Sequence, residues 1–166
     1  MKAYTNVNLV TCDSAFHVYR EGLLVVEDER IAYCGPYDEA WLEQCSELVD
    51  YEGAWIMPGL VNCHTHSAMT LLRGIRDDSN LHEWLEDYIW PAESQFTSDL
   101  TTKAVLLALA EMLLSGTTTF NDMYNPQGVE IDRIYETVRQ SGMHCYFSPT
   151  LFSSEAETAE ETLART

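Results

Sequence analysis

The alternation of short apolar runs with helix-patterned runs after Trp55 constrains this chain more than any other feature. A first apolar run, Ile56 to Asn62, leads into Ser67 to Arg73, a short helical pattern closed by Gly74. Asn80 then caps a helix with Glu83 three residues on, a variant of the capping box. Leu81, Trp84, Leu85, Tyr88 and Ile89 make an amphipathic stripe, which Pro91 should end or kink. Thr97 caps a second helix, Ser98 to Ser115, apolar almost all round and so expected to be buried. A β-branched strand from Thr117 to Asp122 comes next, then a helix from about Val129 to Ser141 and a strand from Met143 to Ser148. An acidic helical pattern, Ser154 to Arg165, comes last. Glycine stands at both helix-to-strand joins, Gly116 and Gly142. This order predicts an α/β fold with a parallel sheet and right-handed crossovers. Pattern alone fits either a small open sheet or the first part of a (β/α)8 barrel, which needs eight strands and roughly 250 residues.

Residues 1–57 have a different texture. Val7, Leu9 and Val10 form one strand candidate; Gly22 to Glu27 and Arg30 to Cys34 form two more, joined by Asp28-Glu29 as a tight hairpin. Ala40 to Cys45 suggests one helical turn. The division expected is therefore a small β layer over 1–57 and α/β units over 58–166.

Bulk properties narrow the partners. The 166 residues make one ordinary domain's length, 46% hydrophobic and 22% charged, enough to build a core. A formal net charge of −18, from 27 acidic and 9 basic residues, would repel nucleic acid and anionic lipid. Neither is an expected partner. The five cysteines (12, 34, 45, 63 and 145) show no CxxC pair, so reduced thiols and a cytoplasmic location are expected. No apolar run is long enough to span a bilayer, and the first residues lack a signal-peptide pattern.

The first apolar run ends in two histidines, within Pro58-Gly59-Leu60-Val61-Asn62-Cys63-His64-Thr65-His66. Positions i and i+2 of a strand share a face, so His64 and His66 present two imidazoles side by side. Neutral imidazole is a good ligand for zinc, iron or nickel. Taken alone, His-x-His is equally what an ordinary strand end provides.

The surrounding blocks carry a resemblance. Pro-Gly, two hydrophobic residues, Asn or Asp, then x-His-x-His resembles the first-strand metal motif of the amidohydrolase superfamily. Ser67 to Gly74, Trp84-Leu85, Ile89 to Glu93 and Ser115 to Tyr124 resemble its aminohydrolase branch. Within that branch they are most similar to 5-methylthioadenosine/S-adenosylhomocysteine deaminases and related chlorohydrolases. The resemblance implies the first part of a (β/α)8 barrel preceded by part of a small β-sandwich. It implies a divalent metal, zinc by family habit, that activates water to attack an aromatic ring carbon and expel ammonia from an adenine nucleoside or similar heterocycle. His64 and His66 match the first two metal ligands, and Glu93 matches a glutamate that binds the ribose hydroxyls. By its own pattern Glu93 is an exposed residue beyond a helix-ending proline. Trp90 is a core aromatic or a pocket-lining one, Asp122 a loop anchor, and His17, His82 and His144 structural or surface residues. Related barrels often pair, which makes a homo-oligomer one expectation.

The pattern also departs from the family. The remaining ligands and the proton-transfer residues come from later strands in the family, and this chain reaches only Thr166. Catalytic zinc normally takes three protein ligands and a water, so the chain alone is expected to be inactive. Other readings are a truncated, non-catalytic assembly module, or a guanine- or triazine-type amino- or chlorohydrolase. Met143 to Leu151 holds no arginine, where the family often uses one to hold substrate. That weighs against a carboxylate-bearing substrate.

Overall fold

The polar step Asp28-Glu29 closes a two-residue hairpin, with Glu27 paired to Arg30 and Asp28 in the left-handed region at φ 52°. The structure, a computed structural model, describes residues 1–124, 129–149 and Glu160. Apart from Glu160, the acidic pattern at 154–165 lies outside the described residues. The chain separates into two compact units, Met1–Pro58 and Gly59–Thr166.

The first unit is a five-stranded sheet. Strand β1 (Lys2–Val10) pairs antiparallel with β2 (Val18–Glu27), which pairs with β3 (Arg30–Gly35). After the short helix α1 (Glu39–Leu42), β4 (Glu47–Asp50) and β5 (Trp55–Ile56) both run parallel to β1. Strand β4 is not foreseen by pattern, because four residues are too few to show a period. Both faces bury apolar groups. Ala3, Leu23 and Val25 pack under Trp41 and Leu42, while Val7, Leu9 and Leu24 form a separate cluster with Tyr19 and Ile56.

The expected strand Ile56 to Asn62 is in fact two. Trp55–Ile56 belongs to the first sheet, and pairing resumes only at β6 (Leu60–Thr65). Pro58 lacks the N–H that a ladder needs, which accounts for the break. Gly59 serves a close approach, since a Cβ there would overlap the Thr118 side chain.

In the second unit β6, β7 (Thr117–Tyr124) and β8 (His144–Pro149) form a parallel sheet in that order. Thr97 accepts from Leu100 N–H at 3.2 Å to start α4 (Ser98–Leu114). Helix α5 (Ile131–Ser141) ends at Gly142, left-handed at φ 76°. Val105 and Leu109 of α4, Phe120 of β7, and Ile134 and Val138 of α5 make one core with Met143. Contrary to expectation, α4 is buried on one side only: Leu106 is 49% and Leu114 90% exposed. Its buried stripe of Thr101, Ala104, Val105, Ala108 and Leu109 keeps to the helical period.

The segment after Asn80 also differs from the expectation. Asn80 accepts from Glu83 N–H at 3.1 Å, as a cap should. Helix α2 (Leu81–Glu83) then widens into a π turn, Trp84–Ile89, and continues through Pro91 as α3 (Trp90–Glu93). Proline offers no N–H for an α-type bond, and an i→i−5 bond from Trp90 to Leu85 O precedes it. The helical path therefore carries on to Glu93. Among the described residues no helix is long and apolar enough to cross a membrane.

Two substitutions test this core. Phe120→Ala should cost about 3–5 kcal/mol in urea unfolding, through lost burial and a cavity. Thr101 Oγ1 is buried with no hydrogen-bond partner among the described residues, so Thr101→Val should stabilise by about 1 kcal/mol.

Candidate metal centre

Strand β6 delivers His64 near its C-terminal end, and His66 comes immediately after it. Their rings meet edge to face, with centroids 5.3 Å apart. His64 N–H donates to Asn62 Oδ1 at 3.2 Å, which shapes the strand end. His66 Nδ1 lies 2.9 Å from Met123 O. A carbonyl only accepts, so Nδ1 carries the proton and donates, leaving the Nε2 lone pair free. A ring nitrogen held in this way by a backbone carbonyl is the usual support for a metal-ligating histidine. The residues present therefore fit a borderline-soft divalent ion such as zinc. Among the described residues no group of three or more His, Cys, Asp and Glu side chains is gathered closely enough to hold a metal.

Asp122 fixes the backbone just after His66. It is fully buried, and its Oδ1 accepts from Ser67 N–H at 2.9 Å while Oδ2 accepts from Ser67 Oγ. Burial raises its pKa above the ordinary carboxylate value, against the lowering effect of the Ser67 hydrogen bonds and of nearby His66. Asp122 thus anchors the 3₁₀ turn Ser67–Leu72, the anchoring role expected of it.

Glu93, half-buried at the end of α3, lies within electrostatic reach of His66. Its pKa is raised by burial, partly offset by the histidine. An open cleft of about 400 Å³ runs beside His66, lined also by Met69, Arg73, Ile75, Arg76 and Trp84. Neither His64 nor Glu93 lines it. Trp84 lines this cleft, while Trp90, expected in the core or in a pocket with Glu93, is 43% exposed. The π turn Trp84–Ile89 lies between the two residues, and period-3.6 counting could not foresee it. His17 and His82 are exposed, and exposed His144 stands at the start of β8, the end of the strand away from the histidine pair.

Residues 55–166 match the amidohydrolase family. A 5-methylthioadenosine/S-adenosylhomocysteine deaminase of Bacillus cytotoxicus is 49% identical over 151 residues, covering 91% of this chain and 35% of that protein. A deaminase of the same name from Bacillus cereus (strain AH820) is 46% identical over 158 residues, covering 95% and 36%. The chain thus spans about a third of the length of the curated relatives it matches. Among solved structures, the atrazine chlorohydrolase of Arthrobacter aurescens TC1 complexed with zinc superposes with a TM-score of 0.78 at 20% identity, over 94% of this chain and 37% of that one. The guanine deaminase of C. acetobutylicum with bound guanine gives 0.75 at 22% identity, over 88% and 35%. These likenesses show a shared fold.

The Asp122 anchor gives a direct test. Asp122→Ala leaves the Ser67 N–H and hydroxyl without their buried acceptor and should cost about 2–3 kcal/mol. Ser67→Ala, which removes one donor with its bond, should cost about 1 kcal/mol by the same chemical denaturation.

Proposed function

The chain belongs to the amidohydrolase family, and from that premise we propose that it is the N-terminal portion of a metal-dependent deaminase acting on an adenine nucleoside of the 5-methylthioadenosine or S-adenosylhomocysteine type. Residues 1–57 are then part of a composite β-sandwich. Residues 58–166 are the first βα units of a (β/α)8 barrel, whose catalytic end lies at the C-terminal ends of the strands. The single observation that carries this reading is the His64–His66 pair at that end of β6, with one ring already oriented by Met123 O.

In this reading His64 and His66 hold the metal through ring nitrogens. A bound divalent ion supplies the acidity that makes water nucleophilic at neutral pH, lowering its pKa to about 7. The chain's own residues orient and bind. Met123 O holds the His66 tautomer, and Asp122 with Ser67 keeps the turn behind it in place. Glu93 accepts hydrogen bonds from the ribose hydroxyls, and its partial burial strengthens each of them. Proton transfer and the remaining ligands fall to parts of the protein beyond these 166 residues, so the chain by itself is inactive. A cytoplasmic location suits five free thiols, and the charge of −18 disfavours nucleic acid as a partner.

The deciding measurement is ammonia release from 5-methylthioadenosine and S-adenosylhomocysteine by the full-length protein. Chelation should abolish it and zinc should restore it. His64→Ala and His66→Ala should each reduce both release and bound zinc to background. Glu93→Gln should raise KM by about 10–100-fold, the value of a lost charged hydrogen-bond acceptor. Turnover of guanine or a triazine alone would reject the nucleoside assignment. Full activity after loss of both histidines would reject the metal site.

A further inference from the structure

The ladder between β6 and β7 falls out of step where it reaches the first histidine. Asn62 pairs with Phe120 and Thr65 with Asp122, so Cys63 and His64 together face the single residue Asn121. Two residues opposite one make a β-bulge, a device that re-aims a side chain. The peptide between Cys63 and His64 is held by side chains at both of its polar ends. Its N–H donates to Asn62 Oδ1 at 3.2 Å, and its carbonyl accepts from Asn121 Nδ2 at 3.3 Å.

A carbonyl only accepts, so the Asn121 amide must turn its NH2 toward β6. Its oxygen is left for β8, where Ser148 Oγ donates to it at 2.7 Å. Phe120 and Cys145 pack in the core with α4 and α5, so Asn121 and Ser148 project from the opposite face of the sheet. One amide thus ties three parallel strands together at the level of His64. The two histidines are set by different means. Met123 O orients His66 through its ring. Beyond its edge-to-face contact with His66, the His64 ring makes no hydrogen bond among the described residues, so its direction is set through its backbone.

On the reading of His64 as a metal ligand, we propose that Asn121 and Asn62 are positioning residues for that ligand. They fix the bulged peptide, and with it the direction from which the first imidazole meets the ion. Their roles are opposite in polarity: position 62 must accept a hydrogen bond, and position 121 must donate one. An ionised aspartate only accepts, so it serves at 62 and fails at 121.

The test measures zinc affinity of the full-length protein by competition with a chelator, together with the visible spectrum of the cobalt-substituted form. Asn121→Asp and Asn62→Ala should each weaken zinc binding by roughly 10–100-fold, as loss of a group behind a ligand does, and alter the cobalt spectrum. Asn62→Asp should keep wild-type affinity and spectrum. Ser148→Ala, which frees the far end of the Asn121 amide, should weaken zinc binding in the same direction but less. Should Asn121→Asp not fold, Ser148→Ala and the two Asn62 variants carry the comparison. Wild-type affinity and spectrum in folded Asn121→Asp or Asn62→Ala overturn that residue's role, and an Asn62→Asp as weak as Asn62→Ala overturns the polarity assigned to it. Zinc bound equally by wild type and His64→Ala overturns the metal-ligand reading and this assignment with it. If zinc binding depends on the asparagines but neither nucleoside is deaminated, the deaminase reading falls and this assignment stands.

Discussion

Two consecutive residues of one strand hold two consecutive residues of another segment, and the candidate site depends on that grip. Asp122 binds Ser67 through its carboxylate, and Met123 binds the His66 ring through its carbonyl. The strands β6 and β7 are parallel neighbours, so their C-terminal ends lie side by side. Burying a carboxylate is costly unless its oxygens are satisfied, and here each oxygen takes a donor from Ser67. The raised pKa of Asp122 shows that burial outweighs those donors. Through those two contacts the carboxylate fixes the turn behind the second histidine.

Local chemistry was legible in the sequence, and long-range geometry much less so. Caps at Asn80 and Thr97, the stop at Gly142 and the Asp28-Glu29 hairpin were readable because each depends on a few adjacent residues. The pair His64 and His66 was readable for the same reason, through the period of a strand. The features that escaped are decided by distant partners. Strands β4 and β5 exist because β1 offers them a parallel edge. Pro58 divides one apolar run between two sheets. The exposed side of α4 carries leucines of its own, among them Leu106, Leu107 and Leu114, and these hid the side that meets Phe120.

The π turn at Trp84–Ile89 shows how a local rule can be correct and its consequence missed. Proline at position 91 does remove a hydrogen bond, as expected. The chain answers by widening one turn, which keeps the helical path running to Glu93. Without that turn a helix ending at Pro91 would leave Glu93 in a loop. With it, Glu93 is half-buried and within electrostatic reach of His66. Trp84, at the start of that turn, lines the cleft, and Trp90, just after it, is exposed. Both are large apolar aromatics of the same segment, so hydrophobicity could not choose between them.

The histidine pair also bears on how such a site is assembled. A ligand whose tautomer is chosen by the ion must reorganise when the ion binds. His66 has its tautomer chosen by Met123 O, a backbone group set by the ladder between β7 and β8. That ladder rests in turn on Phe120 and the helices α4 and α5, a core with neither histidine in it. The cost of orienting the ring is therefore met during folding, by the same packing that stabilises the sheet. On the metal-site reading proposed above, an ion would need to find only a nitrogen already freed to receive it.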